Sequence, residues 1–268
     1  MRISFIGGGV MGEAILSGLL SRGVAGAGDI WAADVSPARR EYLTQRYGIQ
    51  ATEDNLRAAE EGEVAILAIK PQNLAEVMAG LSGHLATRQL VISIVAGATI
   101  STLTAGLNHS TVVRVMPNTP AQIGEGISVW MATPQVTPQQ KEATQAILAS
   151  LGKSIYVAEE KYIDMATSLS ASGPGFIFLI IEAMIDAGVH MGMARDMAQE
   201  LVLQTMLGST RLAIQFGKHP AELKNMVTSP GGTTAEGLLI LEEGGVRALL
   251  TQAYIAAYEK TKLLGGGK

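Results

Sequence analysis

The stretch "ISFIGGGVMGEAIL", which begins at Ile3, constrains the fold of this chain most strongly. A short β-branched run leads into Gly7, Gly9 and Gly12 in GxGxxG spacing, and a helical pattern follows at once. In this context the first glycine permits a tight turn, the second lets backbone amides approach a pyrophosphate, and the third lets helix and strand pack closely. The stretch therefore predicts a dinucleotide-binding βαβ unit.

Short apolar runs of strand length recur through residues 1–157, and amphipathic helical stretches separate them. The runs start at Ile3, Ile30, Val64, Leu90, Val112 and Ile127, and those before residue 107 have the rhythm of parallel strands. After Tyr156 the strand signals stop and helical patterns follow. We predict an α/β fold with a Rossmann-type, doubly wound, mostly parallel sheet in residues 1–159 and an all-helical domain in residues 160–268.

The helical half is unusually apolar. Its most apolar window, residues 173–189, is interrupted by Glu182 and Asp186, which leaves too short a clean run to span a bilayer. The window therefore predicts a deeply buried helix. Because the helical half has more apolar surface than it can cover alone, we predict a homodimer through the C-terminal helices, which could assemble into a larger homo-oligomer.

Composition narrows the possible partners. The net charge of −4 and the pI near 5.6 leave no basic footprint for nucleic acid or an anionic membrane, so small molecules and further copies are the expected partners.

The chain has no cysteine, and its four histidines lack metal-ligand spacing, so we expect no metal. The first residues lead directly into the glycine motif without a secretion pattern, so we expect a cytoplasmic protein.

Three polar positions follow predicted strands at the sheet edge where such folds hold their ligand. Asp34 ends the second strand, where an acid ordinarily accepts the adenosine ribose hydroxyls; this position favours NAD(H). Arg39 or Arg40 could instead reach the 2′-phosphate of NADP(H), so the choice between NADH and NADPH stays open. Lys70 and Asn118 are candidate contacts to the ribose or the nicotinamide.

A hydroxyl-rich turn lies near the end of the chain, in "VTSPGGTTAEGL" from Val227. Two glycines let the backbone turn its N–H groups into one concavity, and the helix that follows adds its own unpaired amides. Such a turn could hold an anion, although an ordinary Ser/Thr helix cap explains the stretch better when it is taken alone.

Five blocks, read together, resemble the Δ1-pyrroline-5-carboxylate reductase family in order and over nearly the whole chain: "FIGGGVMGEAILSGL", "AIKPQ", "RVMPNTP", "SASGPGFIF" and "HPAELKNMVTSPGGTTAEGL". The resemblance implies reduction of (S)-1-pyrroline-5-carboxylate to L-proline, the last step of proline biosynthesis, by hydride transfer from NADPH or NADH to the imine carbon. It also implies a C-terminal domain that binds substrate and dimerises.

The resemblance further implies, position by position, which residues hold the cofactor. Those around the pyrophosphate are Ile6, Gly7, Gly8, Gly9, Val10, Met11 and Gly12. Those near the adenosine ribose are Ala33, Asp34, Val35 and Asn55. Those bordering the nicotinamide are Ala68, Ile69, Lys70, Pro71, Val95 and Ala96, and Asn118 joins them by its place after a predicted strand.

For the substrate, the resemblance implies that turn amides at Gly231, Gly232 and Thr233 bind the carboxylate, with Ser229 in the same turn. The hydroxyl of Thr234, the implied catalytic residue, meets the ring nitrogen, and Glu160 supports the substrate side. The chain has no other clear acid or base, but hydride transfer is chemistry that the cofactor carries while the protein positions the acceptor.

Two alternative functions remain to be weighed. A β-hydroxyacid dehydrogenase on a similar scaffold needs a base, usually a lysine early in the helical domain, and the sequence has no lysine between Lys161 and Lys218. A dinucleotide-sensing binding protein would bind cofactor without turnover, and the hydroxyl-rich turn would then have no purpose.

Overall fold

The computed structural model describes residues 1–265, and within them the N-terminal part forms an eight-stranded sheet. The strands are β1 (Ile3–Ile6), β2 (Ile30–Ala33), β3 (Gln50–Thr52), β4 (Val64–Leu67), β5 (Leu90–Ser93), β6 (Val112–Met116), β7 (Gly126–Ala132) and β8 (Gly152–Tyr156). Their order is β3-β2-β1-β4-β5-β6-β7-β8, and the β6–β7 pair is antiparallel whereas the other neighbours run parallel. The predicted doubly wound, mostly parallel sheet is confirmed.

Helices cover both faces of this sheet. They are α1 (Val10–Ser21), α2 (Pro37–Tyr47), α3 (Asn55–Glu61), α4 (Leu74–Leu81), α5 (Ile100–Leu107), α6 (Pro138–Ala149) and α7 (Lys161–Ala166). Phe5 of β1 packs with α1 and α2 on one face, and Ile6, the next residue, packs with α3 to α5 on the other. Because side chains alternate along a strand, a strand buried on both faces is apolar throughout, as the "ISFIG" run is.

Side-chain caps mark where several of these helices begin. The hydroxyls of Ser36, Thr99 and Thr137 and the carboxylate of Asp54 accept N–H groups in the first turns of α2, α5, α6 and α3. Such caps satisfy amides that have no partner within the helix. Pro71 starts a short 3-10 turn, Pro71–Asn73, and α4 begins only at Leu74.

Helices dominate the rest of the described chain. They are α8 (Gly173–His190), α9 (Arg195–Phe216), α10 (Pro220–Met226), α11 (Thr233–Glu243) and α12 (Val246–Leu264), and a π-helical turn, Thr167–Ala171, precedes them. By packing, Gly173–Ala256 forms one compact unit, while Met1–Ser172 and the chain from Ala257 form another. The predicted domain boundary at residue 160 stays a prediction, and the predicted domain's last residues, 266–268, lie outside the described residues.

Helix α8 is not deeply buried in the single chain. The prediction that residues 173–189 form a deeply buried helix is therefore wrong for a single copy. Ile185 packs with Ala198 and Val202 of α9, but Phe178 is 63% exposed and Leu179 is 64% exposed. The reason is that a pair of packed helices covers only one side of each. By length and composition alone, the stretch Lys161–His190 would also be long and apolar enough to cross a membrane.

Candidate active site

The glycine-rich turn after β1 has the geometry that the motif predicts. The N–H of Gly7 donates to the carbonyl of Ala33 (2.8 Å), and φ of Gly7 is +101°, a conformation that disfavours any side chain. A Cβ at Gly12 would lie 2.5 Å from the carbonyl oxygen of Gly7, so this glycine allows the helix to pack on the turn. A Cβ at Gly9 would meet nothing within 4 Å, so the turn is open there.

Free amides surround that open space. The first helical hydrogen bond of α1 runs from Glu13 to the carbonyl of Gly9 (2.8 Å). The N–H groups of Val10, Met11 and Gly12 therefore have no protein acceptor within residues 1–265. Amides at the positive end of a helix dipole attract phosphate, so the turn fits the pyrophosphate of a dinucleotide.

Asp34 is bound to the same turn. Its Oδ2 accepts the N–H of Gly8 (3.0 Å), and its Oδ1 accepts the N–H of Ser36 (2.9 Å). These two bonds fix the carboxylate at the end of β2, beside the glycine turn. The position matches that of the acid that binds ribose hydroxyls in related folds.

Arg39 supports the glycine turn from the opposite side. Its Nε donates to the carbonyl of Gly8 (2.5 Å), and its Nη2 pairs with the carboxylate of Glu13. Glu13 also accepts the hydroxyls of Tyr42 (3.0 Å) and Tyr47 (2.7 Å). Burial raises the pKa of Glu13, but the hydrogen bonds from Tyr47, Arg39 and Tyr42 together lower it by more, so its pKa lies below the ordinary 4.5. The guanidinium of Arg39 is therefore occupied by contacts within the protein.

Arg40 also folds back on the chain. Its Nη1 donates to the carbonyls of Asp34 (2.8 Å) and Val35 (3.2 Å), and its Nη2 lies 3.5 Å from the carboxylate of Glu53. Contact with a 2′-phosphate would bring that phosphate close to both Asp34 and Glu53. These contacts oppose a role for Arg40 as a ligand of a 2′-phosphate.

A cleft of about 720 Å³ opens beside these residues, at the carboxyl ends of β1, β2 and β4. The predicted cofactor residues among its lining are Gly7, Gly9, Ala33, Asp34, Val35, Asn55, Ala68, Ile69 and Lys70. Sequence reasoning missed the other lining residues, which are Glu53, Asp54, Leu56, Asn73, Glu76, Val77 and Gly80. Glu53 and Asp54 follow β3, whose short "QAT" sequence carries no strand signal, so only the fold brings them to the cleft.

The remaining predicted cofactor residues are not among those that line this cleft. The side chain of Ile6 is fully buried, and Gly8 and Gly12 are buried within the turn. Val10 and Met11 begin α1, and Pro71 begins its 3-10 turn. Val95 and Ala96 lie in the loop after β5, and Asn118 follows β6 with its Oδ1 accepting the N–H of Ile127 (2.9 Å). The cofactor contacts of all these residues stay predictions.

Glu160 belongs to a partly buried ion-pair network around a buried arginine. Its Oε1 accepts Nη1 of Arg114 (2.6 Å) and the N–H of Ile100 (2.7 Å), while Asp164 accepts Nη2 of Arg114 (2.7 Å). The side chain of Arg114 is only 3% exposed. Sequence reasoning missed Arg114, although a lone charge in the apolar run "VVRVM" was a signal that a buried partner exists.

The hydroxyl-rich turn between α10 and α11 also offers unpaired donors. The first bonds of α11 run from Ala235 (3.0 Å) and Glu236 (3.3 Å) to the carbonyl of Gly232, so the N–H groups of Thr233 and Thr234 have no protein acceptor in the described chain. Gly231 has φ of +66°, which the turn requires and a glycine readily adopts. The turn can therefore receive an anion.

The polar groups of this turn differ in availability. The hydroxyl of Thr228 donates to the carbonyl of Lys224 (2.7 Å) and so belongs to the end of α10. The N–H of Gly232 donates to the carbonyl of Ser229 (3.0 Å), so a ligand would have to share it. The hydroxyls of Ser229, Thr233 and Thr234 have no hydrogen-bond partner within residues 1–265, so they are free to bind a ligand.

One of the four histidines, His219, has a structural role. Nδ1 of His219 accepts the N–H of Ala221 (3.2 Å) and caps α10. In the part of the chain that the structure describes, no cluster of three or more His, Cys, Asp and Glu residues could hold a metal ion.

Comparison with known proteins matches both halves of the chain. The family described as "Pyrroline-5-carboxylate reductase dimerisation" matches residues 160–264, and "NADP oxidoreductase coenzyme F420-dependent" matches residues 2–97. Pyrroline-5-carboxylate reductase of Synechocystis sp. is 41% identical over 99% of this chain and 98% of its own, and that of Methanosarcina acetivorans is 42% identical over 98% of each. The crystal structure of Plasmodium falciparum pyrroline carboxylate reductase with NADP bound has a TM-score of 0.91 at 31% identity, over 99% of this chain and 98% of that one. This chain belongs to the pyrroline-5-carboxylate reductase family.

Proposed function

We propose that the chain reduces (S)-1-pyrroline-5-carboxylate to L-proline and uses NADH or NADPH as the hydride donor. The observation that carries the proposal is the presence of two anion-receiving turns in a family member: the open glycine turn at Gly9 and the hydroxyl-rich turn at Gly231 to Thr234. The first fits the pyrophosphate of the cofactor, and the second fits the carboxylate of the substrate.

In the cofactor half, the free amides of Val10, Met11 and Gly12 bind the pyrophosphate, and Asp34 accepts ribose hydroxyls. Lys70, at the rim of the cleft, contacts the ribose or nicotinamide part. The cofactor supplies the hydride when it is bound. The protein contributes a fixed turn, whose carbonyl and amide at Gly8 are already held by Arg39 and Asp34.

In the substrate half, the N–H groups of Gly231, Thr233 and Thr234 bind the carboxylate, with Ser229 beside them and Gly232 completing the turn. The free hydroxyl of Thr234 hydrogen-bonds the ring nitrogen and orients the imine. The predicted substrate contact of Glu160 stays a prediction, since its observed bonds are to Arg114 and Ile100.

The proton on the imine nitrogen makes the adjacent carbon a better hydride acceptor. A threonine hydroxyl is too weak an acid to be the source of this proton, so Thr234 orients it only. Solvent supplies the proton, or the substrate already carries it when it binds.

We further propose that the homo-oligomer of this family forms here through the C-terminal helices as a dimer, which can build a larger assembly. The exposed apolar side chains of Phe178, Leu179, Ile214 and Ile240 support this proposal. A protein that left so many exposed would be expected to associate. We propose that a second copy, rather than a membrane, covers the apolar stretch Lys161–His190, and that the protein is cytoplasmic.

One assay tests the function directly. Oxidation of NADH and of NADPH is followed at a fixed enzyme concentration with and without pyrroline-5-carboxylate, and proline is quantified in the product. Consumption of either cofactor with equimolar proline supports the proposal. Cofactor binding without turnover would favour the dinucleotide-sensing alternative. Reduction of NAD+ or NADP+ by a β-hydroxyacid, with no turnover of pyrroline-5-carboxylate, would favour the dehydrogenase.

A further inference from the structure

The network around Arg114 joins parts of the sheet unit that are distant in sequence. Arg114 lies on β6, Asp164 lies on α7, and Glu160 immediately precedes α7. Glu160 Oε1 accepts both Nη1 of Arg114 (2.6 Å) and the N–H of Ile100 (2.7 Å), the first residue of α5. The start of α5 is therefore tied to a buried arginine through one carboxylate oxygen.

The loop held by this bond is the stretch from Ile94 to Thr99, called the 94–99 loop below. It connects β5 to α5, and at its start the N–H of Ile94 donates to the carbonyl of Leu67 on β4 (3.1 Å). Within the loop, the N–H of Ala98 donates weakly to the carbonyl of Val95 (3.3 Å). The bond from Ile100 to Glu160 is shorter than either, and together with the Thr99 cap of α5 it holds the far end of the loop.

The 94–99 loop lies on the reactive side of the cofactor site. Asp34 lies at the end of β2, on the proposed adenosine side, and the glycine turn follows β1. In the sheet order β4 and β5 come directly after β1. A dinucleotide that lies across the carboxyl ends of such a sheet extends from the ribose acid, over the glycine turn, toward β4 and β5. The nicotinamide end is therefore the end nearest this loop.

We propose that Arg114 and Glu160 are positioning residues for hydride transfer: they hold the 94–99 loop where it sets the orientation of the nicotinamide. The inference rests on the proposed reductase function. Neither residue touches the reacting atoms. Arg114 fixes Glu160, Glu160 fixes the start of α5, and the loop that ends there presents Val95 and Ala96 to the cofactor.

The expected signature is a change in rate rather than in affinity. Displacement of a positioning group by about 1 Å can cost about 100-fold in rate, whereas the pyrophosphate and ribose contacts lie elsewhere and hold the cofactor regardless. Loss of the Glu160 carboxylate should therefore reduce kcat by about 10- to 100-fold and leave the Kd of the cofactor within about twofold.

The test compares two carboxylates that share the same arginine. Glu160→Ala removes the partner that also binds Ile100, and Asp164→Ala removes the partner that does not contact the loop. Glu160→Gln keeps an oxygen that can accept the N–H of Ile100 and should restore most of the rate. For each variant we would measure Tm, kcat, the KM of both substrates, cofactor Kd by fluorescence, and the primary isotope effect with cofactor deuterated at the transferred position.

We expect Glu160→Ala and Asp164→Ala to lower Tm to similar extents, because each leaves Arg114 with one partner. Only Glu160→Ala should lower kcat, increase the isotope effect and change the emission of bound reduced nicotinamide.

Equal kinetic losses in both variants would show a merely structural network and overturn the inference. So would an increased KM for pyrroline-5-carboxylate at unchanged kcat, which would place Glu160 on the substrate. The emission of bound cofactor can be compared even if the wild type does not turn over, so failure of the proposed function would be recognised separately.

Discussion

Oδ2 of Asp34 accepts the backbone N–H of Gly8 at 3.0 Å, so one carboxylate both fixes the glycine turn and places a negative charge on the lining of the cleft. Its other oxygen is held by Ser36. The side chain therefore cannot easily rotate away from an incoming phosphate. We expect discrimination between NADH and NADPH to depend on this fixed position.

Replacing Asp34 by asparagine should shift cofactor preference toward NADPH. Asparagine keeps one oxygen for the N–H of Gly8 but removes the charge that repels a 2′-phosphate, an effect of a few kcal/mol for close, poorly solvated charges. We expect the ratio of Kd for NADPH to Kd for NADH to fall by about tenfold or more. Fluorescence titration with both dinucleotides measures the ratio. Glu60→Gln, which removes an exposed carboxylate outside the cleft, should leave the ratio unchanged; an equal shift in both variants would rule out a local effect.

Thr234→Ala should separate substrate binding from cofactor binding. Loss of one oriented hydrogen bond to a partly charged group is expected to reduce kcat/KM for pyrroline-5-carboxylate by about 10- to 100-fold. Steady-state kinetics gives this value, and titration with NADH should give an unchanged Kd. The matched control is Thr228→Ala, whose hydroxyl only bonds the carbonyl of Lys224 and whose loss should affect Tm alone. If cofactor affinity falls while substrate kinetics hold, the turn binds a different ligand.

A charge on the exposed face of α8 should disrupt the oligomer. Phe178 is 63% exposed in the single chain, and burying a glutamate at an apolar interface is strongly unfavourable. Phe178→Glu should therefore shift the light-scattering mass toward that of a monomer at micromolar concentration. Ile155→Glu makes the same kind of change at a half-exposed position on β8 and should leave the mass unchanged. A wild-type monomer with full activity would contradict the dimer proposal.

The contribution of Glu13 to stability should depend on pH. Its pKa is below the ordinary 4.5 in the folded chain, so the stabilisation is present above that value and is lost as the pH falls through the lower folded-state pKa. The difference in urea midpoint between wild type and Glu13→Gln should thus be largest near neutral pH and should shrink well below pH 4.5. A difference that stays constant over this range would mean that the carboxylate charge plays no part.

Sequence patterns predicted those parts of the molecule where local and tertiary preferences agree. The "ISFIG" strand, the glycine turn and the start of β2 at Ile30 are such places. Strands β3 and β8 were missed because "QAT" and "GKSIY" lack a continuous apolar run, and pairing with β2 and β7 stabilises them instead. The commitment of Arg39 to Gly8 and Glu13, and the partners of Arg114, could not be read from the sequence, since they depend on residues brought together by folding.

The glycines at positions 9 and 12 stand three residues apart, but we expect them to be under different evolutionary constraints. A methyl group at Gly12 would collide with the carbonyl of Gly7, so any replacement there would be removed by its effect on folding, even in a population that never needs the reaction. At Gly9 the chain would accept a methyl group in open space, and only a pyrophosphate bound there, as proposed above, would be obstructed. A lineage that obtained all its proline from its surroundings should thus lose the glycine at position 9 early, while a well-folded protein persists with the glycine at position 12 intact.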